Sequence, residues 1–289
     1  MTVKFRKIYL IILFCITLLC MGAGILFYFV PDTLGMFQNN TALFQIAQND
    51  KTGNADTLQN VSTLSAFQNV SVNIDVSDLT FCQGDQYGLT INAKGKMRPQ
   101  FYVKNETLYI EQKEIGFFNM SWFRAGQKNQ IIVTIPAGKT LNDFTLQSDT
   151  GNVTLKNIAM EGLNCSLDTG DLNVENVQAK TSSLDLDTGA VTCSKSELGQ
   201  LTATCDTGKI VLTDTKTKDT DISCDTGDVQ YTSSEGADSY YYKIESDMGG
   251  ISVNGAKCGK HYDTEKAAGK YKMEINCSTG SVDLKLKTY

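Results

Sequence analysis

The chain has 289 residues, with 32 acidic against 26 basic side chains and a formal net charge of -6. That length holds one large domain or two small ones, and the acidity argues against a nucleic-acid partner, which would need a basic surface to meet phosphates. Three prolines among abundant Thr, Ser, Val, Ile and Gly lean toward strands and turns.

The first element is apolar. Ile8 to Val30 is a run of 23 residues without a charge, long enough as a helix to cross a hydrocarbon core about 30 Å thick. Lys4, Arg6 and Lys7 precede it, and Phe27, Tyr28 and Phe29 stand near its far end, where an aromatic belt belongs. The positive-inside rule then makes 1–7 a cytoplasmic tail, 8–30 a single transmembrane anchor in the cell membrane, and all that follows extracytoplasmic. The competing reading is a cleaved signal peptide with Gly22, Ala23 and Gly24 at its cleavage site. Such apolar regions are shorter, about 7 to 15 residues, and six more apolar residues follow here. Leu19 is too bulky for the position before a lipidated Cys20. Residues 31–62 read as a juxtamembrane spacer, with Phe37, Leu43, Phe44 and Ile46 forming a short helix on the bilayer and a polar linker after it.

Residues 63–289 form the extracytoplasmic domain. Val70–Val76, Tyr87–Ala93, Thr107–Gln112 and Gln130–Ile135 alternate like strands, so 64–145 is an irregular opening section. From 146 a repeat takes over. Gly151, Gly170, Gly189, Gly208 and Gly227 are each 19 residues apart, and Gly249 and Gly280 follow at intervals of 22 and 31. Asp149, Asp168, Asp187, Asp206, Asp225 and Asp247 stand two places before the first six, with Ser278 in the last copy; Thr separates them, except for Met248. Two places after each glycine come Val153, Leu172, Val191, Ile210, Val229, Ile251 and Val282. Apolar residues alternate with polar ones on both flanks, the pattern of a strand with one buried face. The spacing predicts an all-β, single-chain β-solenoid with coils of about 19 residues, each burying its face only against its neighbours. Glycine supplies the backbone freedom of the turn, and the aspartate accepts a hydrogen bond from the backbone two residues on. The wider intervals before Gly249 and Gly280 place loops toward the far end.

This combination resembles the Toastrack family, β-strand-repeat domains of unknown function labelled as adhesins. The resemblance covers about residues 64 to 289. It rests on Phe67–Val76, on Ile131-Val-Thr-Ile-Pro-Ala-Gly138 and on the train of Asp-Thr-Gly turns. It implies a bacterial envelope location and a role in adhesion, or in sensing envelope stress with membrane partners. The family has no agreed active site, so no functional residue carries over.

Other motifs are weighed against plainer explanations. Leu186-Asp187-Thr188-Gly189-Ala190 matches the aspartic-protease signature, but that chemistry needs two carboxylates sharing a proton, and a repeated turn gives a row. A calcium site wants six to eight oxygens, more than one Asp per coil supplies. Five of the cysteines after the anchor (Cys165, Cys193, Cys205, Cys224 and Cys277) fall on inward rows as small hydrophobes. Cys205 and Cys224 are ladder neighbours within disulfide range by Cα distance, although parallel side chains disfavour a bridge. Cys258 and His261 make at most one metal-ligand pair, and His261, the only histidine, lies in a polar insertion. Phe117, Phe118, Trp122 and Phe123 cluster between two strands, as a cap over the first coil or as a contact patch. The expectation is a non-enzymatic surface module with no cofactor or metal, whose partners are the membrane, an envelope protein or a glycan. The alternatives are an envelope-stress sensor acting through a membrane protein and, behind it, a carbohydrate-active enzyme.

Overall fold

The computed structural model describes residues 59–61, 64–93, 98–112, 129–264 and 270–287. The expected anchor at 8–30, most of the spacer, and the aromatic cluster Phe117, Phe118, Trp122 and Phe123 lie outside these. Among the described residues no helix is long and apolar enough to cross a membrane. Apart from one 3-10 turn at Ala237–Ser239, the regular structure is all β.

The strands in chain order are β1 (Gln59–Val61), β2 (Asn69–Val76), β3 (Asp78–Gly84), β4 (Gly88–Asn92), β5 (Gln100–Lys104), β6 (Thr107–Glu111) and β7 (Gln130–Pro136). The repeat region holds β8 (Thr140–Thr150), β9 (Val153–Lys156), β10 (Ala159–Thr169), β11 (Leu172–Glu175), β12 (Gln178–Ser194), β13 (Glu197–Thr213), β14 (Lys216–Thr226) and β15 (Val229–Gly236). The last section holds β16 (Tyr240–Ser246), β17 (Ile251–Val253), β18 (Ala256–Gly259), β19 (His261–Asp263), β20 (Tyr271–Thr279) and β21 (Val282–Lys287). Residues 59–61, within the expected spacer, are therefore already strand.

Each repeat is a rung with a long arm before the glycine and a short arm after it. Neighbouring rungs pair in parallel, residue on residue 19 apart: Leu167 on Leu186, Leu186 on Cys205, Val191 on Ile210. Long arms stack in the order β6, β2, β8, β10, β12, β13, β14, β20, β16. Short arms follow the same order as β7, β3, β9, β11, β12, β13, β15, β21, β17. Among the described residues this makes nine rungs, numbered 1 to 9 along the stack.

Stacking order departs from chain order at both ends. The first rung in sequence, β2–β3, is second in the stack, because β6 and β7 lie outside it. The last in sequence, β20–β21, slots between β14–β15 and β16–β17. Each outer rung is then covered by antiparallel strands: β5 on β6, β4 on β7 and β1 on β4 at one end, β19 on β16 and β18 on β17 at the other. Antiparallel hairpins are the short route to closing an edge that would otherwise pair with another chain.

The glycine corner sets the spacing. Gly189 has φ +142° and Gly227 φ +139°, a region side chains avoid. A Cβ on Gly189 would stand 1.9 Å from the Gly170 carbonyl oxygen, and one on Gly227 only 1.4 Å from that of Gly208. The corner is thus closed to any side chain by the rung beneath. Rung 2 carries Ser77 at this place, at the start of the ladder, where its own carbonyl lies under Gly151. A second corner, six residues on, uses left-handed Asn157, Asn176, Lys195 and Asp214, at φ between 49° and 55°, and Asn176 Nδ2 donates to Asn157 Oδ1 at 2.8 Å.

Inward positions form buried rows, such as Leu79, Val153, Leu172, Val191, Ile210, Val229, Val282 and Ile251. The interior turns polar at rung 7. Leu201 gives way to Thr220 and Leu212 to Tyr231, beside buried Thr217, so polar groups enter the inward rows. Tyr231 Oη donates to the Thr215 carbonyl at 3.1 Å and meets Thr217 Oγ1 at 3.1 Å. Tyr240 Oη donates to the Thr217 carbonyl at 2.8 Å. Burial pushes the Tyr231 phenol well above its ordinary value.

Two outcomes are expected in urea titrations. Gly227→Ala costs about 3 kcal/mol or prevents folding, whereas Gly255→Ala, at φ +79° with nothing within 4 Å, costs about 1 kcal/mol. Tyr231→Phe keeps the volume but strands its partners, and costs about 1 to 2 kcal/mol.

Candidate functional site

The aspartates of the repeated turn line one edge of the long arms. Asp149, Asp168, Asp187, Asp206 and Asp225 are exposed, side by side at the strand spacing of about 4.8 Å. Pairing of Ile74 with Ser148 and Val76 with Thr150 aligns Asp75 with Asp149, so Asp75-Val76-Ser77 is a further copy of the turn that lacks the glycine and escapes the motif. Because β20 intervenes, Ser278 separates Asp225 from Asp247.

The corner's hydrogen bonds are made by the residue after the glycine, not by the aspartate before it. Asp78 Oδ1 accepts from Asn152 N, Asn152 Oδ1 from Asp171 N, Asp171 Oδ1 from Ala190 N, and Asp228 Oδ1 from Ser281 N, all at 2.8 to 2.9 Å. Each side chain reaches one rung along, to the N–H aligned with its own. The motif aspartates stand on the outward face of their arms instead. For Asp168, Asp187, Asp206 and Asp225, which stand exposed, this corrects the expectation of a bond two residues on.

That outward face has a one-sided chemistry. The long-arm segments 69–75, 143–149, 162–168, 181–187, 200–206 and 219–225 hold ten aspartates and no lysine, arginine or histidine. The other outward residues are short and polar, such as Ser71, Thr145, Asn164, Ser183 and Thr202. Lysines lie elsewhere: Lys156 pairs with Glu175 at 2.7 Å on the short arms, and Lys180 with Glu161 at the arms' start.

At rungs 2 to 4 this face dips into a groove of about 300 Å³ lined by Asn73, Asp75, Gln147, Asp149, Ser166 and Asp168. Gln112 closes it on the rung 1 side; its Oε1 accepts from Asp75 N at 3.1 Å and Val76 N at 2.9 Å. Asn129 Nδ2 donates to the Val76 carbonyl at 3.1 Å. Phe117, Phe118, Trp122 and Phe123 lie in sequence between Gln112 and Asn129, outside the described residues. Beside the groove, Tyr102 and Tyr109 stack with centroids 4.8 Å apart at 16°, and Tyr102 Oη donates to Glu111 Oε1 at 3.0 Å. No repeat motif flagged these residues; tyrosines at alternate positions of two strands joined by Asn105 and Glu106 were the available signal.

The thiols are internal. Cys205, Cys224 and Cys277 follow one another along a single row, a triplet produced by the insertion of β20, and all are free. Burial pushes the Cys193 and Cys224 thiols up to about 12. His261 is exposed on β19, opposite Glu245, and Cys258 is half-buried on β18. Among the described residues no group of three or more His, Cys, Asp or Glu is placed to hold a metal.

The Toastrack DUF4097 family model matches residues 67–288. The chain belongs to the Toastrack family. No curated protein matches it. Among solved structures, this Toastrack chain is similar to a candidate adhesin from Bacteroides fragilis at 14% identity and a TM-score of 0.49, covering 81% of this chain and 98% of that one. It is also similar to a candidate cell adhesion protein from Clostridium sporogenes, at 14% identity and a TM-score of 0.35, covering 80% and 100%. A candidate lipid-binding protein from Parabacteroides distasonis aligns at 15% identity and a TM-score of 0.31, covering 80% and 97%.

Alkylation of the native Toastrack domain followed by peptide mass spectrometry is expected to label Cys258 and Cys82 first, with the five row cysteines protected. A buried thiol with a raised pKa stays protonated in the fold while the unfolded chain ionises near pH 9. Its contribution is therefore complete below about pH 9 and is lost as pH climbs toward 12. The urea midpoint should fall between pH 8 and 10, by about 1 kcal/mol less in Cys193→Ala than in the parent.

Proposed function

We propose that the chain is a membrane-anchored β-solenoid of the bacterial envelope that binds a partner and performs no catalysis. One observation supports this most: a continuous, lysine-free outward face built on six successive long arms, with its polar groups spread in ladders rather than converging on one point. Aspartates standing in a row share no proton in the manner of a protease dyad, and His261 is exposed in the polar insertion between the last two turns, opposite Glu245. The apolar run at 8–30 is read as the anchor.

The test is binding of whole cells and isolated envelope by the full-length protein held in detergent micelles or displayed on a heterologous surface. Saturable binding is expected, diminished by replacing Asp168, Asp187 and Asp206 together with Asn, with no turnover of envelope polysaccharide. Absence of binding, or release of soluble sugar fragments, would sink the proposal.

A further inference from the structure

We propose that Cys224 and Cys277 form a dithiol–disulfide pair that ties rung 8 to rung 7 and closes the far end of the stack in a covalent ring. The two residues pair in register on β14 and β20. Their Cα atoms stand at the strand spacing of about 4.8 Å, inside the range of about 4.4 to 6.8 Å that a disulfide spans. Both side chains are buried, and their thiols are in hydrogen-bond contact. Cys205 also touches Cys224, but its sulfur leans the other way, with Cys205 Sγ donating to the Gly189 carbonyl of rung 5 at 3.4 Å. Cys277 Sγ donates to the Gly227 carbonyl of rung 7 at 3.2 Å, which carries it toward Cys224. Rotation about the two Cα–Cβ bonds then brings sulfur to sulfur without changing the rung spacing that the glycine corners fix.

The ring 224–277 holds β15 to β19, and with them the whole of rung 9 and its hairpins. A cross-link stabilises chiefly by restricting the unfolded chain, and more so for a longer loop. A bond between Cys205 and Cys224 would close a single repeat, whereas this one fixes the place where the chain overshoots and returns. The oxidant is a small disulfide such as oxidised glutathione. One cysteine thiolate attacks it, forming a mixed disulfide and releasing one glutathione thiol; the second attacks the protein sulfur of that mixed disulfide and releases the other. Two S–H bonds are lost and one S–S bond forms, while the two electrons and two protons pass to the glutathione pair. Because both thiols are buried in the finished stack, the exchange takes place as β20 docks. Serine is the fitting replacement: Ser246 holds the same row at rung 9 and donates from Oγ to the Gly280 carbonyl at 2.9 Å.

The test is refolding of the full-length protein from urea in detergent micelles, in mixtures of reduced and oxidised glutathione. Acid quenching, alkylation and peptide mass spectrometry without reduction then read the thiols. A joined pair of peptides holding Cys224 and Cys277 is expected, lighter than the two thiol peptides by the hydrogens lost, with Cys205 alkylated. Cys205→Ala should leave that bridge in place and Cys277→Ser should remove it. The oxidised parent should melt about 5 °C above the reduced parent, a shift absent from Cys277→Ser. Alkylation of both Cys224 and Cys277 at every glutathione ratio overturns the proposal in favour of thiols that serve only as small core groups and donors to corner carbonyls. A bridge from Cys224 to Cys205, or a Cys224–Cys277 bridge found only in protein that lacks the native thermal transition, overturns it as well.

Discussion

The contact on which the stack depends is between a glycine Cα and the carbonyl oxygen of the glycine one rung below. It recurs from Ser77 through Gly151, Gly170, Gly189, Gly208, Gly227 and Gly280 to Gly249. Because no Cβ intervenes, the backbones of successive corners approach to the distance that strand pairing requires, and both arms of each rung can pair in parallel at once. A side chain there would separate the arms on either side and interrupt two ladders together. Everything periodic in the domain, inward rows and outward rows alike, inherits its registry from this approach.

A parallel stack has no intrinsic end, since each rung offers its neighbour the same unpaired edge. The chain resolves this by overshooting. From rung 2 it runs outward to rung 1 and steps back over to rung 3; past rung 7 it runs outward to rung 9 and returns to fill rung 8. Both outermost rungs are therefore made from internal sequence flanked by hairpins, and β20–β21 is held on both sides. The same insertion brings Cys277 beside Cys224 and places Ser278 between Asp225 and Asp247, so chain path as well as repeat content decides which side chains meet.

The repeats of 146–232 were legible because their signal is strict: a glycine every 19 residues and alternation on both sides, each demanded by backbone geometry. The inversions at the ends were not, since intervals of 22 and 31 residues say that something is inserted but not where the chain returns. Asp75 was invisible because its corner carries Ser77, whose φ is not positive, where the later copies carry glycine. The hydrogen-bonding role of Asp78, Asn152, Asp171 and Asp228 was misassigned to the motif aspartates, since local turn chemistry cannot register a partner one rung away. The groove drew on Gln112, Asn129, Tyr102 and Tyr109, residues of the irregular section, where no period exists to single them out.

The acidic face calls for its own explanation, because folding does not ask for it. Outward positions of the long arms contact no core, and the same arm in rungs 8 and 9 accepts Lys272 and Lys243, both bonded to Glu274. Lysine therefore fits this geometry, and opposite charges alternate there as stability favours. In rungs 4 to 7 the reverse holds: Asp168, Asp187, Asp206 and Asp225 are stacked, and the segments 162–168, 181–187, 200–206 and 219–225 that carry them hold no lysine or arginine. Like charges directly opposite one another on paired strands are destabilising, by roughly 0.2 to 1 kcal/mol a pair. Solubility is no sufficient reason, since acidic residues anywhere on the surface provide it. A row retained against its own repulsion, on long-arm segments that hold no lysine, is better accounted for by what that face meets than by what it supports.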